Sequence, residues 1–304
     1  MAADVSGRLL QALLESWVLI TRLGPYVLLG VAAAVALERL LSRPRLKGVL
    51  VAAGNVPTAI AVGAVSPLCT YGTVPLLYTL RRHGVPLSAV LAFLVSSSML
   101  NPQLFLLLWG GLGPGFALAQ AAGVAAIAAG AASLGGRGFG TAKAPPGGPP
   151  HGAGEHHPHT GASLAARAVE LGGFVGLHFL AGVLLASLLR QWLPTAWVVG
   201  ALGADRWYAP ALAGLAGVPL YACGGGAVPL VVTLGAMGMS PGAARAFFLA
   251  GPATRVTAVA AVAPFLGRGA TVAYVAYVVA AATAAGWALN LVARGQPLPP
   301  TPLP

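Results

Sequence analysis

The sequence predicts an all-α polytopic membrane protein made of two inverted-topology repeats, each with three spans and one re-entrant, broken-helix hairpin. Three observations carry this. First, 57% of the 304 residues are hydrophobic, 8% are charged, and mean hydropathy is +0.82. A soluble domain carries roughly a quarter charged residues, and six acidic side chains cannot solvate a surface of this size. Second, apolar runs of spanning length alternate with short basic loops. Third, two broken apolar segments match each other at a constant offset.

Trp17 to Leu37 is the first span, with Arg22 near one end, where its stem can snorkel. Arg39, Arg43, Pro44, Arg45 and Lys47 form a basic loop. Val49 to Leu80 is then too long for one span and too short for two. As a straight helix it is about 48 Å long, whereas the hydrocarbon core is about 30 Å and two spans need about 40 residues. Ser66, Pro67, Gly72 and Pro75 interrupt its middle. This predicts a hairpin of two half-helices meeting at a non-helical tip, a backbone tolerated at membrane depth only where protein buries it or a cavity is lined. Pro86 to Trp109 and Phe116 to Leu134 follow as spans.

The domain reading is a first membrane repeat over 1–134, a Pro/Gly/His-rich linker over 135–164, a second membrane repeat over 165–294 and a disordered tail over 295–304. In the second repeat Ala168 to Leu189, Pro241 to Leu266 and Ala270 to Val292 are spans, and Tyr208 to Leu234 is the second broken segment.

Cys69 aligns with Cys223 at an offset of 154, and Gly72 with Gly226, Val74 with Val228, Pro75 with Pro229, Gly84 with Gly238 and Phe93 with Phe247 at the same offset. Both cysteines of the chain fall in register. Three spans plus one hairpin is an odd number of crossings, so the second repeat inserts upside down. Inverted repeats bring their broken helices together near the midplane. With the Arg39 to Lys47 loop inside, that side also holds Arg81, Arg82, Arg137, Lys143, Arg167 and Arg268. The other side holds Arg8, Arg190, Arg206, Arg245 and Arg294, a distribution in the sense of the positive-inside rule.

Cys69 and Cys223 each precede a half-helix expected to open near Pro75 or Pro229. A helix N-terminus offers free N–H groups and partial positive charge, which favours a thiolate and so soft metals and metalloids. The alternative is that both are small residues filling tight turns. Gly72, Gly224, Gly225 and Gly226 permit close backbone approach of a solute, or equally tight helix packing. Asn101 breaks the third span ahead of Pro102 and aligns with Arg255. An intramembrane charge is a functional-site expectation, unless it snorkels. Ser97, between Ser96 and Ser98, offers a hydroxyl. Glu15 and Glu170 are expected at helix N-termini, where the dipole suits a carboxylate. His178 is either a proton relay or a neighbour's hydrogen-bond partner.

The net charge of +11 is read as charge between the apolar runs, where cytoplasmic loops keep Lys and Arg, and not as a nucleic-acid surface. His151, His156, His157 and His159 read as a solvated linker without fixed metal geometry. No hydrolytic constellation or phosphate loop is present, so the chain reads as no enzyme, without cofactor or metal. Its expected partners are membrane lipid and a small-molecule substrate, with homo-oligomerisation left open.

Ser66-Pro-Leu-Cys-Thr-Tyr-Gly-Thr-Val-Pro75, Leu80-Arg-Arg-His-Gly84, Pro219-Leu-Tyr-Ala-Cys-Gly224 and Leu249-Ala-Gly-Pro-Ala-Thr254 resemble the predicted permease family that includes organoarsenical efflux permeases. The resemblance spans roughly residues 15 to 293. It implies secondary-type export of a trivalent organoarsenical or related thiophilic species across the cytoplasmic membrane, with Cys69 and Cys223 in the family's cysteine positions. The residues expected at the solute are Cys69, Tyr71, Gly72, Ser97, Asn101, Cys223, Gly224, Gly225, Gly226 and Arg255. Two positions depart from the family pattern: Tyr71 stands where a second cysteine is frequent, and Arg255 where asparagine is.

Overall fold

The computed structural model describes residues 2–41, 55–66, 73, 80–81, 84–136, 164–221, 224–255, 258–259, 263 and 266–292, and these are all-helical with connecting turns. The hairpin tip expected at 67–72, the half-helix start at Pro75, and most of the linker and tail lie outside the described residues. Three helices are long and apolar enough to cross a membrane, or up to five if each of two bent pairs is one span. Large apolar side chains remain exposed along the bundle, Leu28 at 72%, Leu177 at 68% and Leu291 at 80%. An apolar exterior of this kind suits lipid as solvent.

Helix α1 (Ala2–Leu41) runs 40 residues with Pro25 inside it. It starts well before the expected Trp17, because Leu9, Leu10, Leu13 and Leu14 carry the apolar pattern upstream. Glu15 therefore sits several turns inside the helix and not at its N-terminus. Its carboxylate meets Arg190 at 3.4 Å and accepts from Gln191 at 3.3 Å, so an ion pair, not a helix dipole, accounts for it. Helix α2 (Val56–Val65) is capped by the Asn55 side chain, which accepts from Thr58 N. It ends at Ser66, whose backbone is extended, as expected before proline.

Helices α3 (Leu87–Met99) and α4 (Pro102–Leu112) are the two parts of the predicted third span, bent by 42°. Leu100 and Asn101 are both extended. Pro102 forces this: it has no N–H to donate and crowds the residue before it. The Asn101 side chain accepts from Leu104 N at 2.8 Å and starts α4. After Gly113, α5 (Pro114–Gly136) crosses back.

Helix α6 (Leu164–Trp192) is followed by a short helix the sequence reading missed, α7 (Thr195–Leu202), turned by 106°. Pro194 supplies the corner, and Trp192, Trp197 and Trp207 around it are all exposed. Such rings favour the headgroup level of a bilayer. Helices α8 (Ala209–Leu220) and α9 (Gly224–Ala236) form the second broken segment, interrupted at Tyr221, whose backbone is extended. Then come α10 (Pro241–Thr254) and α11 (Arg268–Val292).

The 154-residue offset holds in the backbone. Leu80 O accepts from Val85 N as Leu234 O accepts from Met239 N. Asn101 O accepts from Phe105 N as Arg255 O does from Val259 N. Gly113 O accepts from Ala117 N as Gly267 O does from Thr271 N. Among the described residues, the four glycines with positive φ form two pairs at the same offset: Gly84 (81°) with Gly238 (106°), and Gly113 (91°) with Gly267 (78°). Each is a left-handed turn residue that a side chain would strain.

Corresponding helices also touch. α1 packs on α6, and α5 on α11. Ser16 Oγ donates to Ser187 Oγ at 3.0 Å, and a β-carbon on Gly172 would lie 3.9 Å from Val31. Numbers rise along α1 as they fall along α6, so the two run antiparallel. The same holds for α5 and α11: Arg245 bridges Ala119 O to Ala285 O, and Tyr277 Oη donates to Ile127 O.

Candidate functional site

The candidate site is the set of helix breaks, since broken backbone is where polar groups come free inside an apolar bundle. Of the ten expected residues, Cys69, Tyr71, Gly72 and Cys223 lie outside the described residues. The others fall at three breaks: Ser97 and Asn101 between α3 and α4, Gly224 to Gly226 between α8 and α9, and Arg255 at the end of α10, in the place equivalent to Asn101.

At the first break α3 carries three consecutive buried serines, Ser96, Ser97 and Ser98. Ser96 Oγ turns back to Ala92 O at 2.8 Å and lies against Gly63 of α2, where a β-carbon would meet that hydroxyl at 2.0 Å. Gly63 is thus needed for α2 and α3 to approach. Ser97 Oγ lies 3.3 Å from Thr73 Oγ1, and both residues are fully buried. This hydroxyl pair ties Thr73 to α3. Ser98 Oγ is buried without a hydrogen-bond partner among the described residues. Asn101, half-buried, spends its side-chain oxygen on capping α4.

At the second break the chemistry differs. Gly217 of α8 meets Phe247 O of α10, repeating the Gly63 contact with Phe93 O. Where the first half has Ser97, the second has Gly251, and the Tyr221 ring lies over it: a β-carbon there would meet Tyr221 at 2.6 Å. Tyr221 packs against Phe247 (5.7 Å between centroids) and Phe248 (6.4 Å). Arg255 ends α10 with extended ψ, is half-buried and has interaction partners. His178 likewise is half-buried and partnered.

Gly224, Gly225 and Gly226 are not a non-helical tip. They are the first residues of α9, which opens before Pro229, so that proline lies inside the helix. The physical reason is a close crossing with α6. A β-carbon on Gly182 would come within 2.3 Å of Gly226 Cα, and one on Gly226 within 2.9 Å of His178 O. Only glycines allow these two backbones to meet. Gly226 is occupied by packing on that side. Since α9 starts at Gly224, Cys223 immediately precedes its first turn.

Arg245, counted with the charges of the outer side and within the Pro241 to Leu266 span, lies inside α10, where Nη1 donates to Ala285 O at 3.1 Å and Nη2 to Ala119 O at 2.6 Å. The sequence reading also passed over Thr73, Tyr221 and Gln120. Gln120 had a usable signal, being an amide within the otherwise apolar Phe116 to Leu134 run.

A family described as predicted permease, ArsP_1, matches residues 19–136 and 163–291. No curated protein and no solved structure gives a match. The two matched segments coincide with the two halves that carry the repeated breaks, and they leave out only the linker and the chain ends. The family supports a membrane transporter, and the chain belongs to the ArsP_1 predicted permease family.

Proposed function

We propose that the protein is a secondary-type permease that exports a small thiophilic solute, a trivalent organoarsenical or related metalloid species, across the cytoplasmic membrane. In this reading the halves are inverted repeats, and the solute binds between their breaks. The observation that carries it is the recurrence of broken helices 154 residues apart in a bundle whose corresponding helices run antiparallel. A pseudo-twofold axis in the membrane plane produces such antiparallel pairs, and it gives each break an equivalent approached from the opposite face.

The thiols of Cys69 and Cys223 are the soft ligands. Cys223 stands at the α9 N-terminus, whose field favours a thiolate. Tyr71, Gly72, Gly224, Gly225, Gly226, Ser97, Asn101 and Arg255 line the route beside them. A small anion is the second reading, favoured by the half-buried cation Arg255 at the break where the first half has Asn101.

Uptake into everted vesicles, with no nucleotide supplied, tests the proposal. Wild type accumulates the trivalent arsenical, and Cys69→Ser and Cys223→Ser each lose most of the flux. Equal transport by all three removes the thiols from the mechanism. Flux of anions alone selects the second reading.

A further inference from the structure

Away from the breaks, the contact between α5, α10 and α11 holds polar groups that the transport reading does not use. Arg245 on α10 is half-buried, and its two terminal nitrogens donate to Ala119 O on α5 and Ala285 O on α11. Its Nε is buried without a partner. Carbonyl dipoles orient a guanidinium but do not neutralise it, and a desolvated cation calls for a counter-charge. Among the described carboxylates, Glu15 pairs with Arg190 and Asp205 is exposed in the turns after α7.

Gln120 directly follows the carbonyl that Arg245 holds. It is fully buried, yet neither Nε2 nor Oε1 has a partner. Its neighbours on the helix fix the face it occupies. One turn earlier, Phe116 packs edge-on against Phe248 at 6.3 Å. One turn later, a β-carbon on Gly123 would lie 2.7 Å from Arg245 Nη2. Gln120 therefore lies on the α5 face that meets α10, the face on which Arg245 reaches Gly123.

We propose that Arg245 and Gln120 form a binding site for a small monovalent inorganic anion of chloride or nitrate size. The charge and the Nε–H of Arg245 and the Nε2–H of Gln120 supply attraction and two donors. A water accompanying the anion donates to Gln120 Oε1. The close packing at Gly123 limits the anion to a few atoms. No residue of this site belongs to the two breaks, so the proposal stands or falls apart from the export reading.

The test is thermal unfolding of the purified full-length protein in detergent, with chloride or nitrate exchanged for gluconate at constant ionic strength. Gluconate is too large to enter. Wild type is expected to gain about 3 °C in Tm as chloride saturates. Gln120→Leu, which removes a donor without adding charge, weakens the apparent chloride affinity by about tenfold. Gln120→Glu places a carboxylate beside Arg245 and abolishes the chloride dependence, with Tm at or above that of chloride-saturated wild type. A wild-type Tm indifferent to the anion overturns the proposal. So does a chloride effect that persists unchanged in Gln120→Glu, which marks a general salt effect.

Discussion

Ser97 and Gly251 occupy the same place in the two halves, one turn or so before the break in the third span. Around Ser97 the first half gathers hydroxyls, with Thr73 at 3.3 Å and Ser96 and Ser98 beside it. Around Gly251 the second half gathers rings, with Tyr221 over the glycine and Phe247 and Phe248 against Tyr221. Asn101 caps the first break with its amide, whereas Arg255 brings a cation to the second. The backbone is duplicated and the lining is not. The first break is lined by hydroxyl and amide oxygen, the second by aromatic carbon and a guanidinium.

The difference can be attacked from either side, and unfolding free energies measured in bicelles read the outcome. Gly251→Ala has the largest effect, a loss of about 2 kcal/mol, because the new methyl must displace the base of the Tyr221 side chain and overpacking outweighs the gain in helix propensity. A neutral result means that the aromatic wall is not tightly seated. Asn101→Ala comes next, at about 1 kcal/mol, the usual worth of an N-cap. Ser97→Ala is the mildest, near ~0.6 kcal/mol, since hydrogen bonds between membrane helices average little more. A Ser97→Ala cost above that of Gly251→Ala reverses the comparison and makes the hydroxyl side the more constrained.

What the sequence made legible was local. Pro102 after Asn101 announced the break between α3 and α4, and the spacing of Cys69 and Cys223 announced the repeat. Misreadings occurred where a distant contact overrode local preference. Gly224 to Gly226 read as loop because three glycines disfavour a helix by themselves. They are helical because Gly182 of α6 lets that turn seat against it. The partners of Arg245 were not legible, because the two carbonyls it holds lie 126 and 40 residues away. Glu15 read as a helix-start residue, since its partner Arg190 belongs to the other half. The short helix α7 had only Pro194 and its flanking tryptophans to announce it.

The antiparallel contacts of α1 with α6 and of α5 with α11 also bear on engineering. Each is a surface of one half meeting its counterpart in the other, so the two halves hold each other through helix faces and not only through the chain that joins them. Residues 1–136 and 164–304 are accordingly the natural fragments to express as separate genes, and their reassembly in one membrane would show that these faces suffice without the covalent link.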